Sequence, residues 1–393
     1  MMAAYAAAGH GADVTVFERQ ARLGRKLAAT GNGRCNLSNI HADPKYYHGE
    51  DGRCCSTILK REGTRQSLMR FREMGLLTAE EEDGRIYPMS DHAGSVVDVL
   101  RFSLDALGAT VNCGCSVKVL TKSSTGFLLQ TEDYQITADR VIVACGGKAG
   151  GKLGGVDDGY RLLENLGHSC TELRPSLVQL RTEGNAARAL KGVRTQAHVS
   201  VRNGGRIAAE AGGEVQFTEY GLSGPAVFSV SREAGSKPGS VISLDLFPDM
   251  ECDDLYLLLK RRAETRPDLT LDDLFTGTVQ NKLGRILVST AGYSGTVPLS
   301  GALGVLRSLA EHAKDFSFRV TGNLGFDQAQ VTAGGIRTRE FDPETLESRI
   351  CPGLYACGEV LDVDGDCGGY NLQWAWSSGW IAGKLAAESR LVC

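Results

Sequence analysis

The sequence predicts an α/β fold of the nucleotide-binding kind, interrupted by a β-rich insertion with a helical portion. Three observations predict it. Leu354 to Cys357 is a short apolar run suited to a buried parallel strand, and Gly358-Glu359 lets the backbone turn at its carboxyl end, where open α/β sheets bind ligands. Asp13-Val-Thr-Val-Phe-Glu18 is a second such run, closed by an acid. Between about Ser176 and Leu246 the pattern changes to recurrent strand signals punctuated by glycine.

At 393 residues the chain is long enough for two or three domains and a large core. Its 42% hydrophobic and 23% charged residues describe an ordinary globular protein, and the formal charge of -4 provides no general attraction to nucleic acid or anionic lipid. No apolar stretch approaches a membrane span and no secretory leader opens the sequence, so the expected location is the cytoplasm, with no membrane partner. The 12 cysteines are too dispersed for a disulfide scaffold and are expected as reduced thiols. Cys54-Cys55 and Cys113-Gly-Cys115 lack the second pair or histidine of a zinc site, so no metal is expected, and Cys357 reads as a small core residue.

Taken in order, alanine-rich Met1 to Ala8 reads as a helix closed near Gly9 and Gly11, and Asp13 to Glu18 as a strand. In a dinucleotide fold Glu18 would accept hydrogen bonds from ribose hydroxyls. Leu23 to Asn39 is a loop dense in Gly and Asn with three basic residues, suited to tight turns and to amide hydrogen bonding. An amphipathic helix is expected near Thr64 to Met74 and another from Ser95 to about Leu107. Strands follow near Ser116-Leu120, Gly126-Gln130 and Arg140-Ala144, the last running into Cys145-Gly146-Gly147, and Asp158 to Gly167 reads as a helix. In the insertion, His198-Arg202 and Gly239-Leu246 read as strands and Ala226-Ser231 as a helix. From Asp253 to Leu309 the pattern is mainly helical, with Leu255, Leu258 and Leu259 on one apolar face and Leu303, Leu306, Leu309 and Ala310 on another. Strand signals return at Phe316-Val320, and a small-residue helix follows Gly368-Gly369.

No rival catalytic constellation is visible. Ser223 lacks a nucleophile elbow, Glu80-Glu81-Glu82-Asp83 reads as a solvated acidic loop, and neither the histidines nor Asp364 and Asp366 take a role from spacing. Trp374 and Trp376 read as core aromatics.

Four motifs, Gly31-Asn-Gly-Arg-Cys-Asn-Leu-Ser-Asn39, Val331-Thr-Ala-Gly-Gly335, Gly358-Glu-Val-Leu-Asp362 and Gly368-Gly-Tyr-Asn-Leu-Gln-Trp-Ala-Trp-Ser-Ser-Gly379, resemble those of the HI0933-like (YhiN/BaiN-like) flavoproteins in order and spacing. The resemblance covers almost the whole chain. It implies a glutathione-reductase-type FAD-binding domain (three-layer ββα, Rossmann-like) made of residues 1-174 and 331-393, interrupted by a β-rich domain of 175-252 and 311-330 that carries a helical subdomain, 253-310. Family members begin with a strand and a Gly-x-Gly-x-x-Gly-type turn, whereas this sequence starts at the helix after it. An omitted start is the expectation, and a variant binding FAD weakly or not at all is the alternative.

The resemblance places Arg25, Lys26, Asn32, Gly33, Arg34 and Asn36 near FAD, Val117 at the adenine, and Cys145, Gly146 and Gly147 near the nucleotide. It places Gly358 and Glu359 near the ribityl-phosphate region and Asn371 and Leu372 near the flavin; Arg85, Tyr87 and Tyr370 are candidates for the substrate. The implied activity is hydride transfer from NADH or NADPH through flavin N5 to a small organic acceptor such as a conjugated enone of a steroid or dehydro bile acid. Aminoacetone oxidase-like amine oxidation with dioxygen, or a catalytically silent flavin- or nucleotide-binding protein, are the alternatives. The acceptor, the nicotinamide preference and any protein partner are not readable from the sequence.

Overall fold

Two parallel strand pairs carry the α/β part of the fold in the computed structural model, which describes residues 1–235 and 239–389. Thr15–Glu18 pairs with Thr110–Cys113, and Val141–Val143 pairs with Leu354–Ala356. Among the described residues these are two separate pairs, not one continuous sheet. A three-stranded antiparallel meander, Val119–Ser123, Gly126–Gln130 and Gln135–Ala138, lies between them in sequence. Its first strand begins three residues later than the sequence suggests, so Val117 precedes the strand and packs, half-buried, against the core. The strand Gln135–Ala138 had no clear signal because Glu132 to Gln135 interrupt the apolar pattern.

The chain divides into two compact units, Met1–Pro175 with Gln330–Cys393, and Ser176–Ala329. Helices α1 (Met2–Gly9), α2 (Arg25–Ala29), α3 (Gly52–Arg61), α4 (Thr64–Glu73), α5 (Ala93–Ala106) and α6 (Asp158–Glu164) belong to the first unit. Within the second lie α7 (Ala186–Ala189), α8 (Pro225–Ala234), α9 (Cys252–Thr265), α10 (Asn281–Thr290) and α11 (Leu306–Lys314). The 19-residue α12 (Tyr370–Glu388) returns to the first.

The second unit is a closed six-stranded antiparallel barrel. Its strands run in the spatial order Leu180–Thr182, Gly221–Ser223, Arg206–Phe217, Arg194–Asn203, Val241–Asp245 and Phe316–Asn323, which pairs back to the first. Leu255 and Leu259 of α9, Leu283 and Leu287 of α10 and Leu306 and Leu309 of α11 share one core with barrel residues Val199, Phe217 and Phe316. Leu303, expected on the buried face, is 47% exposed, because helix α11 starts only at Leu306 and the residues before it form a short 3-10 turn.

In the first unit, Cys54 and Cys55 are buried on α3, where burial pushes the Cys54 thiol up to about 12. Cys357 is likewise buried, as are Trp374 and Trp376. No helix among the described residues is long and apolar enough to cross a membrane.

Candidate functional site

The loop after α2 has an unusual backbone. Gly31, Asn32 and Gly33 all have positive φ (57°, 57° and 88°), as does Cys35 at 63°. Glycine enters that region freely, and asparagine more readily than other side chains. At Gly31 a Cβ would stand 2.8 Å from the Asn36 amide nitrogen. With its amide turned so that Nδ2 faces Ser38 O at 3.0 Å, Asn36 accepts through Oδ1 from the Gly369 N–H at 3.1 Å. Gly369 has φ +99°, and a Cβ there would lie 2.3 Å from Ser38 O. The Asn/Gly-rich loop is thereby locked against the amino terminus of α12, whose first amides point out of the helix unpaired by it.

Beneath this contact lies a polar network with no signal in the sequence. Ser38 Oγ donates to Gln373 Oε1 at 2.6 Å, and Gln373 Nε2 donates to Ser67 Oγ and Ser377 Oγ at 2.9 and 2.8 Å. Gln373 is fully buried, and these bonds satisfy its amide.

A second cluster gathers at the strand ends. Glu359 follows Gly358, whose φ is +74°. Its Oε1 accepts from the Thr332 N–H at 2.8 Å and its Oε2 from Lys26 Nζ at 2.8 Å. Gly147 faces both: a Cβ there would meet Thr332 Oγ1 at 2.6 Å and Glu359 Oε1 at 2.8 Å. Thr332 Oγ1 in turn accepts from the Ala149 N–H at 2.9 Å. Trp374 Nε1 donates to Gly358 O at 3.0 Å, and the Gly358 N–H donates to Ser378 Oγ at 2.9 Å, so α12 holds the turn from behind. Burial, then the Glu359 charge, hold the pKa of the buried Tyr160 phenol well above the phenolic range, against the hydrogen bonds to Thr332 and the Lys148 backbone that lower it. Glu18, at the end of its strand, accepts from the Gln20 N–H through Oε1 at 2.8 Å. Its other oxygen has no hydrogen-bond partner among the described residues.

The remaining sequence-predicted residues separate into those that share this region and those held elsewhere. Cys145 is exposed and Gly146 half-buried at the end of Val141–Val143. Asn32 is exposed, and Arg25 reaches Gln20 Oε1 at 2.7 Å on the surface. Asn371 closes its own turn, accepting from the Gly365 N–H at 2.8 Å and donating to Gly365 O at 2.7 Å, which leaves its backbone amide as the group it presents. Leu372 packs half-buried against the core. Arg34 is bound to Glu81 and Asp91, and its guanidinium lies 4.2 Å from the Tyr87 ring centroid. Glu80, Glu81 and Asp83 are exposed, as expected of a solvated acidic segment, but Glu81 also pairs with Arg34 and Glu80 belongs to the strand Thr78–Glu80; the Glu82 side chain lies outside the described residues.

An aromatic wall forms around the start of α12. Tyr370 stacks on Tyr46 at 4.8 Å and meets Tyr47 edge-on at 6.1 Å, and the Tyr47 hydroxyl donates to Tyr370 O at 3.0 Å. Burial, with Tyr46 next, pushes the Tyr370 phenol up to about 12. His48 Nε2 lies 2.7 Å from Asp366 Oδ1, both side chains about one-third exposed. These partners are 318 residues apart and come together because Tyr47–His48 pairs with Asp364–Gly365. Arg85 lies on the strand beside Tyr87, near Gly368.

Residues 1–385 match a family model described as the HI0933-like protein Rossmann domain. The chain is 40% identical over 395 residues to the 3-dehydro-bile acid delta(4,6)-reductase of Clostridium scindens, covering 99% of this chain and 96% of that protein. It is 30% identical over 389 residues to the ribosomal RNA dihydrouridine synthase of Escherichia coli, covering 96% and 94%. Among solved structures, 3-ketosteroid delta1-dehydrogenase from Sterolibacterium denitrificans aligns over 99% of this chain and 97% of its own, at 16% identity and a TM-score of 0.50, a likeness of fold.

Proposed function

Because this chain belongs to the HI0933-like family of flavin oxidoreductases, we propose that it reduces a carbon–carbon double bond conjugated to a carbonyl group, with FAD as cofactor and NADH or NADPH as electron source. The observation that carries this reading is the nearly full-length likeness to two relatives whose named reactions share one bond change. A delta(4,6)-reductase of a 3-dehydro bile acid and a dihydrouridine synthase both saturate a carbon–carbon bond polarised by a carbonyl. The preferred substrate is the small apolar one, a steroid-like enone, since the higher identity lies there and the net charge of -4 gives no attraction to an RNA backbone. Ribosomal RNA uridine is the second reading, favoured by the 30% relative.

FAD supplies the hydride chemistry when bound. The glutathione-reductase-type arrangement is our reading of how this chain holds it. Glu18, with one carboxylate oxygen unengaged, takes a ribose hydroxyl, and Gly146 and Gly147 allow close approach beside Glu359. The first amides of α12, unpaired within the helix, would hold the electron-rich edge of the ring system when FAD is bound. The Tyr46–Tyr370 wall packs against an apolar substrate, and Arg85 polarises its carbonyl oxygen.

The test is an anaerobic assay of the purified protein supplied with FAD, NADH and NADPH, offered a 3-oxo-4,6-diene steroid acid or a ribosomal RNA fragment. Loss of the dienone absorbance with product gaining two hydrogens supports the first reading. Dihydrouridine in the RNA arm supports the second. A protein that binds FAD and reduces neither overturns both.

A further inference from the structure

We propose that the chain forms a two-fold homodimer in which α4 of each copy receives α5 of the other. The apolar surface of the first unit is unevenly distributed. A groove of about 580 Å³ is lined by Ile40, Leu68, Met69, Leu77 and Met89 between Arg65 and Arg72. Ile40, Met69, Leu77 and Met89 are 45, 53, 55 and 64% exposed and lie together in this groove. Methionine and arginine are also the residues that protein interfaces favour.

The charges define what fits. Arg65 and Arg72 are both exposed on α4, and neither makes an ion pair among the described residues. They are seven positions apart, about 10 Å along the helix, and bracket Leu68 and Met69 on the same face. The complementary stripe is on α5: Asp98, Phe102 and Asp105 lie at i, i+4 and i+7, again with about 10 Å between the charges. Phe102 is 58% exposed between the two acids. Asp105 makes no ion pair among the described residues, and Asp98 reaches only Arg101 of its own helix at 3.2 Å, an exposed pair that contributes little. An aromatic knob between two carboxylates, with the Arg101 guanidinium 4.9 Å from its ring centroid, thus meets an apolar groove flanked by two guanidiniums at the same spacing. Both stripes are on one chain, so an α4–α5 contact made twice about a two-fold axis closes a dimer, whereas the same contact made without that axis extends into an open filament.

Light scattering on the size-exclusion-purified full chain tests this with paired charge reversals. The wild type is expected to be dimeric. Arg65→Glu/Arg72→Glu alone and Asp98→Arg/Asp105→Arg alone are each expected to be monomeric, with unchanged circular dichroism. Mixing the two variants restores a dimer, since one α4–α5 contact is then charge-swapped and the other is wild type. A wild type that stays monomeric at its highest soluble concentration overturns the proposal. So does a dimer that survives both reversals, or a mixture that remains monomeric although each variant is folded.

Discussion

Glu359 shows how much a single side chain organises. One oxygen holds the Thr332 amide and the other holds Lys26, whose side chain is 31% exposed. Glu359→Ala leaves a partly buried amide and a lysine without partners, so we expect a loss of roughly 2–3 kcal/mol in urea unfolding, more than Lys26→Met causes. Gly147→Ala should also destabilise, because its Cβ would meet the Glu359 carboxylate at 2.8 Å; a flavin spectrum of this variant reports whether the displaced carboxylate matters for cofactor retention. His168 sets a pH dependence. Its ring is buried, with Nδ1 3.0 Å from Glu340 and Nε2 2.8 Å from Ser348 Oγ, and burial outweighs the Glu340 charge to hold its pKa below the ordinary 6.5. Well above 6.5 the ring is neutral in both folded and unfolded chains, so its contribution is complete there. As the pH falls through that value the unfolded chain takes up a proton that the folded one resists, and stability declines. Urea midpoints should therefore drop between about pH 7.5 and about pH 5.5 in the wild type and stay flatter in His168→Gln. None of these partners was legible in sequence: Lys26 and Glu359 are 333 positions apart.

At the scale of elements, α1 and α12 show what a composition signal contains and what it omits. The alanine run of α1 marks a helix, and Met2, Ala3, Ala4, Ala6 and Ala7 are buried. The reason for alanine lies on α12. Cβ atoms at Gly379 and Gly383 would stand 3.3 Å from Met2 Cβ and 2.1 Å from Ala3 O, so two backbones meet where no side chain fits. Gly383→Val should push α1 away, lowering stability by about 1–3 kcal/mol or more, and amide exchange in residues 2–9 should accelerate while exchange in α5 is unchanged. The strand Arg206–Phe217 was the largest element absent from the sequence reading. Its centre, Ala208-Ala-Glu-Ala-Gly-Gly213, carries little β propensity, and long pairing with Arg194–Asn203 decides its conformation.

For the whole molecule, the continuous stretch 176–329 has a core made entirely of its own residues, from Leu180 to Val320. Excised, it should fold cooperatively with a β-rich circular dichroism spectrum and a single unfolding transition; a broad transition with exposed apolar surface would show that its core is incomplete alone. Phe217→Ala, which empties the contact with Phe316 and Phe318, should cost that fragment about 3–5 kcal/mol. By itself the sequence determined the family, the α/β class with a β-rich insertion, and most helices, because turn residues and apolar periods act over a few neighbouring positions. Only the tertiary structure decided that the insertion closes as a barrel, that Asn36 and Ser38 lock Gly369, and that His48 meets Asp366. Those contacts join segments up to hundreds of positions apart, and they form when burial of the shared core outweighs the entropy of closing the chain between them.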